Sequence, residues 1–323
     1  MPSPPELTDG PIRIGISTCL LGECVRYDGG HKHDPFITGT LGRYFEWVSC
    51  CPEVELGLGI PRPTIRLESR ADAIHLIMPK TADDLTRSMS IFARRRVDQL
   101  AKENLCGYLL KKQSPSCGME RVKVYQSRGA PRRDGRGLFA ERLLERMPNL
   151  PVEEEGRLHD PSLRENWVER VFAYRRLRNL FDGRFSLGRL VDFHTRHKLL
   201  LLSHSPTAYT ALGRLVARAK QVPGAQLRTD YESQFMAALK VIATTKKNTN
   251  VLQHILGYFK RDLDHAARDE LIGSIEDYRH GYVPLVVPLT LVTHYVRLFD
   301  VAYLREQIYL NPHPKELALR NHV

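Results

Sequence analysis

The sequence predicts an α/β protein: a first half built on a mainly parallel sheet with helices on both faces, followed by an all-α second half. Three observations predict it. Short β-rich runs alternate with helical stretches up to about residue 155. From about residue 156 helical periodicity runs on, broken at intervals by glycine and proline. The chain of 323 residues is long enough for two cores. The domains are therefore expected at 1–155 and 156–323.

In order, Ile12 to Ser17 (IRIGIS) reads as a buried strand and Phe45 to Cys50 (FEWVSC) as a second. Ala73 to Met78 (AIHLIM) is a third, and Thr81 to Asn104 an amphipathic helix. Gly107 to Leu110 (GYLL) is another strand, Gly137 to Arg146 a helix, and a short strand begins at Leu150. Glu153 to Pro161 (EEEGRLHDP) reads as the linker. Helices are expected over 167–182, 186–202, 206–220, 227–246, 248–259, 262–281 and 286–303. Asp182-Gly183, Ser205-Pro206, Pro223-Gly224 and Gly281 separate several of them.

Hydrophobic residues make up 42% and charged residues 26%, a globular composition without the excess charge of a disordered chain. The net charge is +11, and most of the excess follows residue 155. Such a balance suits a polyanion such as nucleic acid, and equally suits an ordinary basic protein. No apolar run approaches the ~20 residues of a bilayer span. The polar, proline-rich start, MPSPPELTDGP, lacks the pattern of a signal peptide. The expected location is cytoplasmic, where six cysteines serve as ligands, catalytic groups or core residues rather than disulfides.

Cys19 follows the first strand, Cys51 the second, and Cys117 lies just beyond the GYLL strand. The carboxyl ends of parallel strands share one edge, so three cysteines distant in sequence are expected to meet there. Three thiolates are too few for a closed zinc site or a four-cysteine cluster. They suit a cubane 4Fe–4S cluster with one iron not ligated by protein, open to soft sulfur as a Lewis acid. Cys24, Cys50 and Cys106 remain available as a further ligand, and all six cysteines also fit as small core residues. Glu53 and Ser116 each stand within two residues of a proposed ligand. A carboxylate there can activate water and a hydroxyl can relay a proton. The same positions suit a helix N-terminal acid and a turn-capping serine.

The ordered set S-T-C-L-L-G with V-R-Y-D-G, C-P-E with G-I-P-R-P, and S-P-S-C-G resembles the thiouracil desulfidase (TudS) family over about the first 150 residues. The resemblance implies a 4Fe–4S cluster on Cys19, Cys51 and Cys117, a catalytic glutamate at Glu53 and a catalytic serine at Ser116. Cys51, rather than Cys50, is taken as the ligand because it directly precedes Pro-Glu. The second half resembles the helical domain fused to such desulfidases, through Phe193 to Lys198, His204-Ser205, Tyr209, Lys247 to His254 and Gly257 to Lys260. The fused architecture resembles the tRNA 4-thiouridine desulfidases (RudS type). It implies a thiolated tRNA as partner and removal of sulfur from 4-thiouracil, without redox change, to give uridine and hydrogen sulfide. Two alternatives remain: a desulfidase of free thiouracil or another small thio-compound, and a non-catalytic iron–sulfur RNA-binding or sensor protein.

Read from the residues alone, His194, His197 and Lys198 lie near one helix face. They suit metal binding, capping or phosphate contact alike. Lys246, Lys247 and Asn248 gather at a helix start, where side chains and free N–H groups suit a phosphate or plain solvent. Asp134-Gly135-Arg136-Gly137 reads as a turn.

Overall fold

A computed structural model describes residues 10–71 and 73–322. The proline-rich start thus lies outside the described residues. These divide into two compact units between His159 and Asp160.

The first unit is organised around a four-stranded parallel sheet. It comprises β1 (Ile12–Ser17), β2 (Phe45–Cys50), β6 (Gly107–Leu110) and β9 (Val152–Glu154), in the order β2-β1-β6-β9. Ser17 pairs with Cys50 and Ile16 with Leu109. The ends of β1, β2 and β6 are therefore level. Ile14, Ile16, Tyr108 and Leu109 are fully buried, as strands covered on both sides require. Gly15 makes room for one of them, since a Cβ there would stand 2.1 Å from the Tyr108 ring.

A second, mixed sheet follows the order β5-β4-β3-β7-β8, from β3 (Arg66–Arg70), β4 (Ala73–Met78), β5 (Asp83–Asp84), β7 (Val122–Tyr125) and β8 (Arg132–Gly135). The strand expected at 73–78 lies here, antiparallel to β3, rather than in the parallel sheet. Asp83 and Asp84 pair with β4 and delay the following helix, expected from Thr81, to α2 (Thr86–Leu100). One turn, α1 (Pro52–Glu55), follows β2, and α3 (Leu138–Arg146) packs against α2.

The expected linker is largely structure. β9 and a 3-10 turn over Glu155–His159 occupy it, with Glu153, Glu154 and Glu155 buried. Each carboxylate has partners. Glu153 accepts from Arg157 Nε at 2.6 Å and Glu154 from the Met119 amide at 2.8 Å. Glu155 accepts from the Lys112 amide at 2.7 Å and pairs with Lys111. Specific donors, not solvent, account for the acidic run.

The second unit is helical: α4 (Pro161–Asp182), α5 (Leu187–Arg196), α6 (Lys198–His204), α7 (Pro206–Ala217), α8 (Gly224–Lys240), α9 (Thr245–Leu256), α10 (His265–Arg279), α11 (Val286–Leu298) and α12 (Ala302–Arg305). Leu177, Leu200, Tyr231, Phe235 and Leu252 are among its fully buried residues. The helix expected over 186–202 breaks at His197, whose Nδ1 lies 2.7 Å from the Phe193 carbonyl. That expected over 227–246 ends at Lys240, because Thr244 caps a new helix by accepting from the Lys247 amide. No helix among the described residues is long and apolar enough to cross a membrane.

Candidate active site at the strand ends

The carboxyl edge of the parallel sheet opens into a cavity of about 470 Å³, lined by Cys19, Cys50, Cys51, Glu53 and Cys117 among others. Local sequence explains each placement. β1 runs into a 3-10 turn, Thr18–Leu21, which carries Cys19 and closes on Gly22 at φ 95°. β2 ends at Cys50, and Pro52 starts α1 with the fixed φ that a first helical residue needs, leaving Cys51 extended at its head. Beyond β6, the Ser114 hydroxyl accepts from the Ser116 and Cys117 amides at 3.2 and 3.1 Å, folding the loop so that Cys117 turns inward.

The carboxylate of Glu53 is held from both sides. The Ser116 hydroxyl donates to Oε1 at 3.0 Å. Arg62 donates to Oε2 from Nη2 at 2.6 Å and from Nε at 3.0 Å, and from Nη1 to the carbonyls of Val25 and Gly59 at 3.0 Å each. Ser116 is fully buried and Arg62 nearly so. The bland readings of these positions belong to neighbours. Glu55, not Glu53, accepts from the Cys51 amide at the head of α1, at 3.1 Å. Ser114, not Ser116, caps the turn.

The thiols share one electrostatic neighbourhood. Burial pushes the Cys19 thiol up to about 11, against the pull of Lys111, with Cys51 adding to the rise. Burial raises Cys51 as well. It drives Cys117 well above the usual thiol range, with Glu53, Cys50 and Cys51 adding to the rise and the Ser17 hydroxyl opposing it. A thiol in such a place stays protonated until a cation replaces its proton. Among the described residues no three His, Cys, Asp or Glu side chains are spaced to share a single metal ion. Thiolates that each bind a different iron of a cubane need not be. The cavity's donor set, the thiols of Cys19, Cys50, Cys51 and Cys117, suits an iron–sulfur cluster.

The other cysteines are placed differently. Cys24 is exposed. Cys106 is fully buried at the opposite end of β6, where its amide pairs with the Arg13 carbonyl. Cys50 also lines the cavity, but it is buried beside Glu55 and Arg96.

Residues 14–155 match the family of 2-thiouracil desulfurase, and residues 198–314 match a family described as a protein of unknown function, DUF1722. The chain belongs to the 2-thiouracil desulfurase family. One relative of this chain, the Uncharacterized protein YbgA of Escherichia coli K12, is 36% identical over 156 residues, which is 47% of this chain and 90% of that protein. A solved structure, the [4Fe-4S]-dependent thiouracil desulfidase TudS, is 30% identical over 46% of this chain and 94% of its own, with a TM-score of 0.37.

In the helical unit, Lys246 is exposed, Lys198 is half-buried, and Lys247 reaches the Ile242 carbonyl at 3.0 Å. Asn248 is buried, its carboxamide donating to Tyr278 at 3.2 Å and accepting from Tyr309 at 3.1 Å. It sits beneath the helix start rather than on it. His194, His197 and His204 are buried with separate partners: Tyr231, the Phe193 carbonyl, and Glu169 with the Val241 carbonyl. They do not converge.

Arg62 is the site residue that the sequence reading missed. It stands inside the G-I-P-R-P stretch that helped define the resemblance, the one signal from which it could have been found. Its role depends on carbonyls brought in from Val25 and Gly59.

Proposed function

We propose that this desulfidase removes the sulfur of 4-thiouridine in tRNA by hydrolysis, with Glu53 as general base, Ser116 as proton relay and a 4Fe–4S cluster on Cys19, Cys51 and Cys117. The observation that carries the reading is a carboxylate fixed on both oxygens at the wall of a cavity that Cys19, Cys51 and Cys117 line together with Cys50. Bound there, such a cluster supplies a Lewis-acidic iron without a protein ligand, which draws electron density from the carbon–sulfur bond. Arg62 fixes Oε2 of Glu53, so the carboxylate presents one orientation to the cavity. Glu53 takes a proton from water as the water oxygen bonds to C4. Ser116, on Oε1, hands a proton onward as the carbon–sulfur bond breaks. C4 gains oxygen, the second water proton leaves as the C4 carbonyl forms, and sulfur, having taken both protons, departs as hydrogen sulfide with no electron entering or leaving.

The substrate reading comes from the fused two-part architecture; the charge distribution is what assigns RNA affinity to the helical unit. The basic excess follows residue 155, while the cysteines precede it. Lys198, Lys246 and Lys247 are the assigned phosphate contacts, and a base must leave its stack to reach the cavity. The test compares the iron-loaded full chain with a chain ending at His159, anaerobically, on thiolated tRNA and on free 4-thiouracil. The shortened chain is expected to lose tRNA turnover and keep free-base turnover. Equal tRNA turnover by both would remove the helical unit from substrate binding. Turnover of the free base alone, by both, would identify a small-molecule desulfidase.

A further inference from the structure

The cavity at the strand ends carries a residue that the proposed chemistry does not use. Tyr27 lines it and is nevertheless 40% exposed, so its ring stands at the mouth. Val25 and Ile65, the large aliphatic residues of the same lining, are half-buried. An aromatic ring left open at a concave site has flat apolar area to offer a ligand. Its loop is built to hold it there. The Gly29 amide donates to the Arg26 carbonyl at 3.0 Å, and the Arg26 amide to the Gly30 carbonyl at 3.1 Å, which closes residues 26–30 on themselves. Asp28 Oδ1 accepts from the Gly30 amide at 3.1 Å. The Arg26 guanidinium lies over the Tyr27 ring, 5.3 Å from its centroid, within cation–π range. That contact takes one face of the ring.

Arg62 ties this loop to the carboxylate. Its amide donates to the Tyr27 carbonyl at 2.9 Å and its Nη1 to the Val25 carbonyl at 3.0 Å, while Nη2 and Nε hold Glu53. One buried residue therefore fixes the Tyr27 backbone and the Glu53 carboxylate relative to each other. That link has a chemical use. Water adds to C4 of a thiouracil along the normal to the ring plane, so one face of the base must stay open to the water that Glu53 activates. The opposite face is free to be held. A flat aromatic surface holds it without occupying the sulfur or the hydrogen-bonding edge of the base. Enzymes that act on an unstacked base replace its lost stacking in this way.

We propose that Tyr27 stacks on the thiouracil ring and orients it for attack at C4. The proposal rests on the desulfidase reading, and its ligand is the base itself, free or within tRNA. Anaerobic kinetics of the iron-loaded full chain on free 4-thiouracil test it apart from any phosphate contact. Tyr27→Leu keeps apolar bulk and removes the aromatic face. It is expected to raise KM about five- to a hundredfold, the usual worth of one base–aromatic stack. Its kcat is expected to stay within a few-fold, because stacking holds ground state and transition state alike. Tyr27→Phe keeps the face, and its KM is expected to match wild type. Iron content and Tm are measured for each variant. Should Tyr27→Leu lose iron or melt early, Tyr27→Trp carries the comparison, its wider face expected to lower KM. Saturation-transfer NMR with uracil, the desulfurated product, reads the contact without turnover. The uracil H5 and H6 signals are expected to weaken in Tyr27→Leu and persist in Tyr27→Phe. Thiolated tRNA separates the sources: a parallel rise in KM places the base of the RNA on the ring, and a rise confined to 4-thiouracil limits the stack to the free base. Four results overturn the proposal: unchanged KM and NMR signals in Tyr27→Leu, a loss in kcat alone, a KM rise shared by Tyr27→Phe, or, where it is needed, no fall in KM for Tyr27→Trp. Absence of turnover by the wild-type chain would defeat the desulfidase reading instead, and the uracil NMR would still report on the ring.

Discussion

Glu53→Gln separates the chemical role of this carboxylate from its structural one. The exchange keeps the side chain's shape but sets an amide against Arg62, whose side chain is 3% exposed beside a glutamate at 15%. Removing one partner of a buried ion pair costs about 3–5 kcal/mol. Arg62 retains the Val25 and Gly59 carbonyls, which favours the lower end, about 3 kcal/mol. In a unit of this size that lowers Tm by about 6–12 °C. Arg62→Met alone should cost at least as much, because it strands Glu53 and two carbonyls. The double variant removes both charges, so its loss should be smaller than the sum of the two single losses. Turnover should not follow that recovery. Loss of a general base is worth about a hundred- to ten-thousand-fold, and both Gln variants should show it. The assay is anaerobic desulfuration by protein of verified iron content, with calorimetric melts in parallel. Turnover by iron-loaded Glu53→Gln within a few-fold of wild type would refute the general-base assignment. Strict additivity of the melts would refute the Arg62 clamp.

The ligand assignment predicts that Cys19→Ala, Cys51→Ala and Cys117→Ala each lose the brown colour and most iron, whereas Cys24→Ala and Cys106→Ala keep both. Full iron in Cys117→Ala would strike it from the set. Acidification should destabilise the helical unit. Burial, then Lys198, pushes His194 down to about 4; burial, then Arg320, does the same to His313. These rings stay neutral in the fold, while the unfolded chain takes protons near pH 6.5. Stability therefore falls as pH drops from about 6.5 toward 4. Calorimetry should give a lower Tm at pH 5 than at 7.5, and an equal or higher one contradicts the reasoning. Gly137→Ala should lower turnover with Glu53 and the cysteines untouched, since a Cβ there would lie 2.4 Å from the Ser116 carbonyl oxygen. Unchanged kcat would mean that the Ser116 loop tolerates displacement.

The parts of the fold legible in the sequence were those with a periodic signal. IRIGIS, FEWVSC and GYLL bury nearly continuous apolar runs or end level with one another, and parallel topology then brings Cys19, Cys51 and Cys117 to one edge. The second sheet was partly hidden because RLESR, VKVY and RRDG are short and charged. Half of each such strand faces outward, and pairing rather than composition makes it a strand. Arg62 was hidden for a related reason. An arginine between prolines has no period, and its partners come from Val25, Glu53 and Gly59.

The stretch read as a plain turn, Asp134 to Gly137, shows how a feature without its own signature can still shape the site. Gly137 opens α3 with no side-chain cap. The first amides of that helix need acceptors all the same. The loop that carries Ser116 supplies them. The amides of Phe139 and Ala140 donate to the Ser116 carbonyl at 3.0 and 3.2 Å, and that of Leu138 to Pro115 at 3.2 Å. The Gly137 amide donates to Gly118 at 2.8 Å. Each side thus satisfies the other: the helix start gains its missing acceptors and the serine loop gains a rigid backing. Only a glycine lets the two backbones come that close. The serine hydroxyl can then meet Glu53 from a fully buried position without a side chain of its own loop behind it. Precision at the carboxylate therefore comes from backbone contacts on the Ser116 side and from a guanidinium on the other. Neither could be read as catalytic from residue type alone.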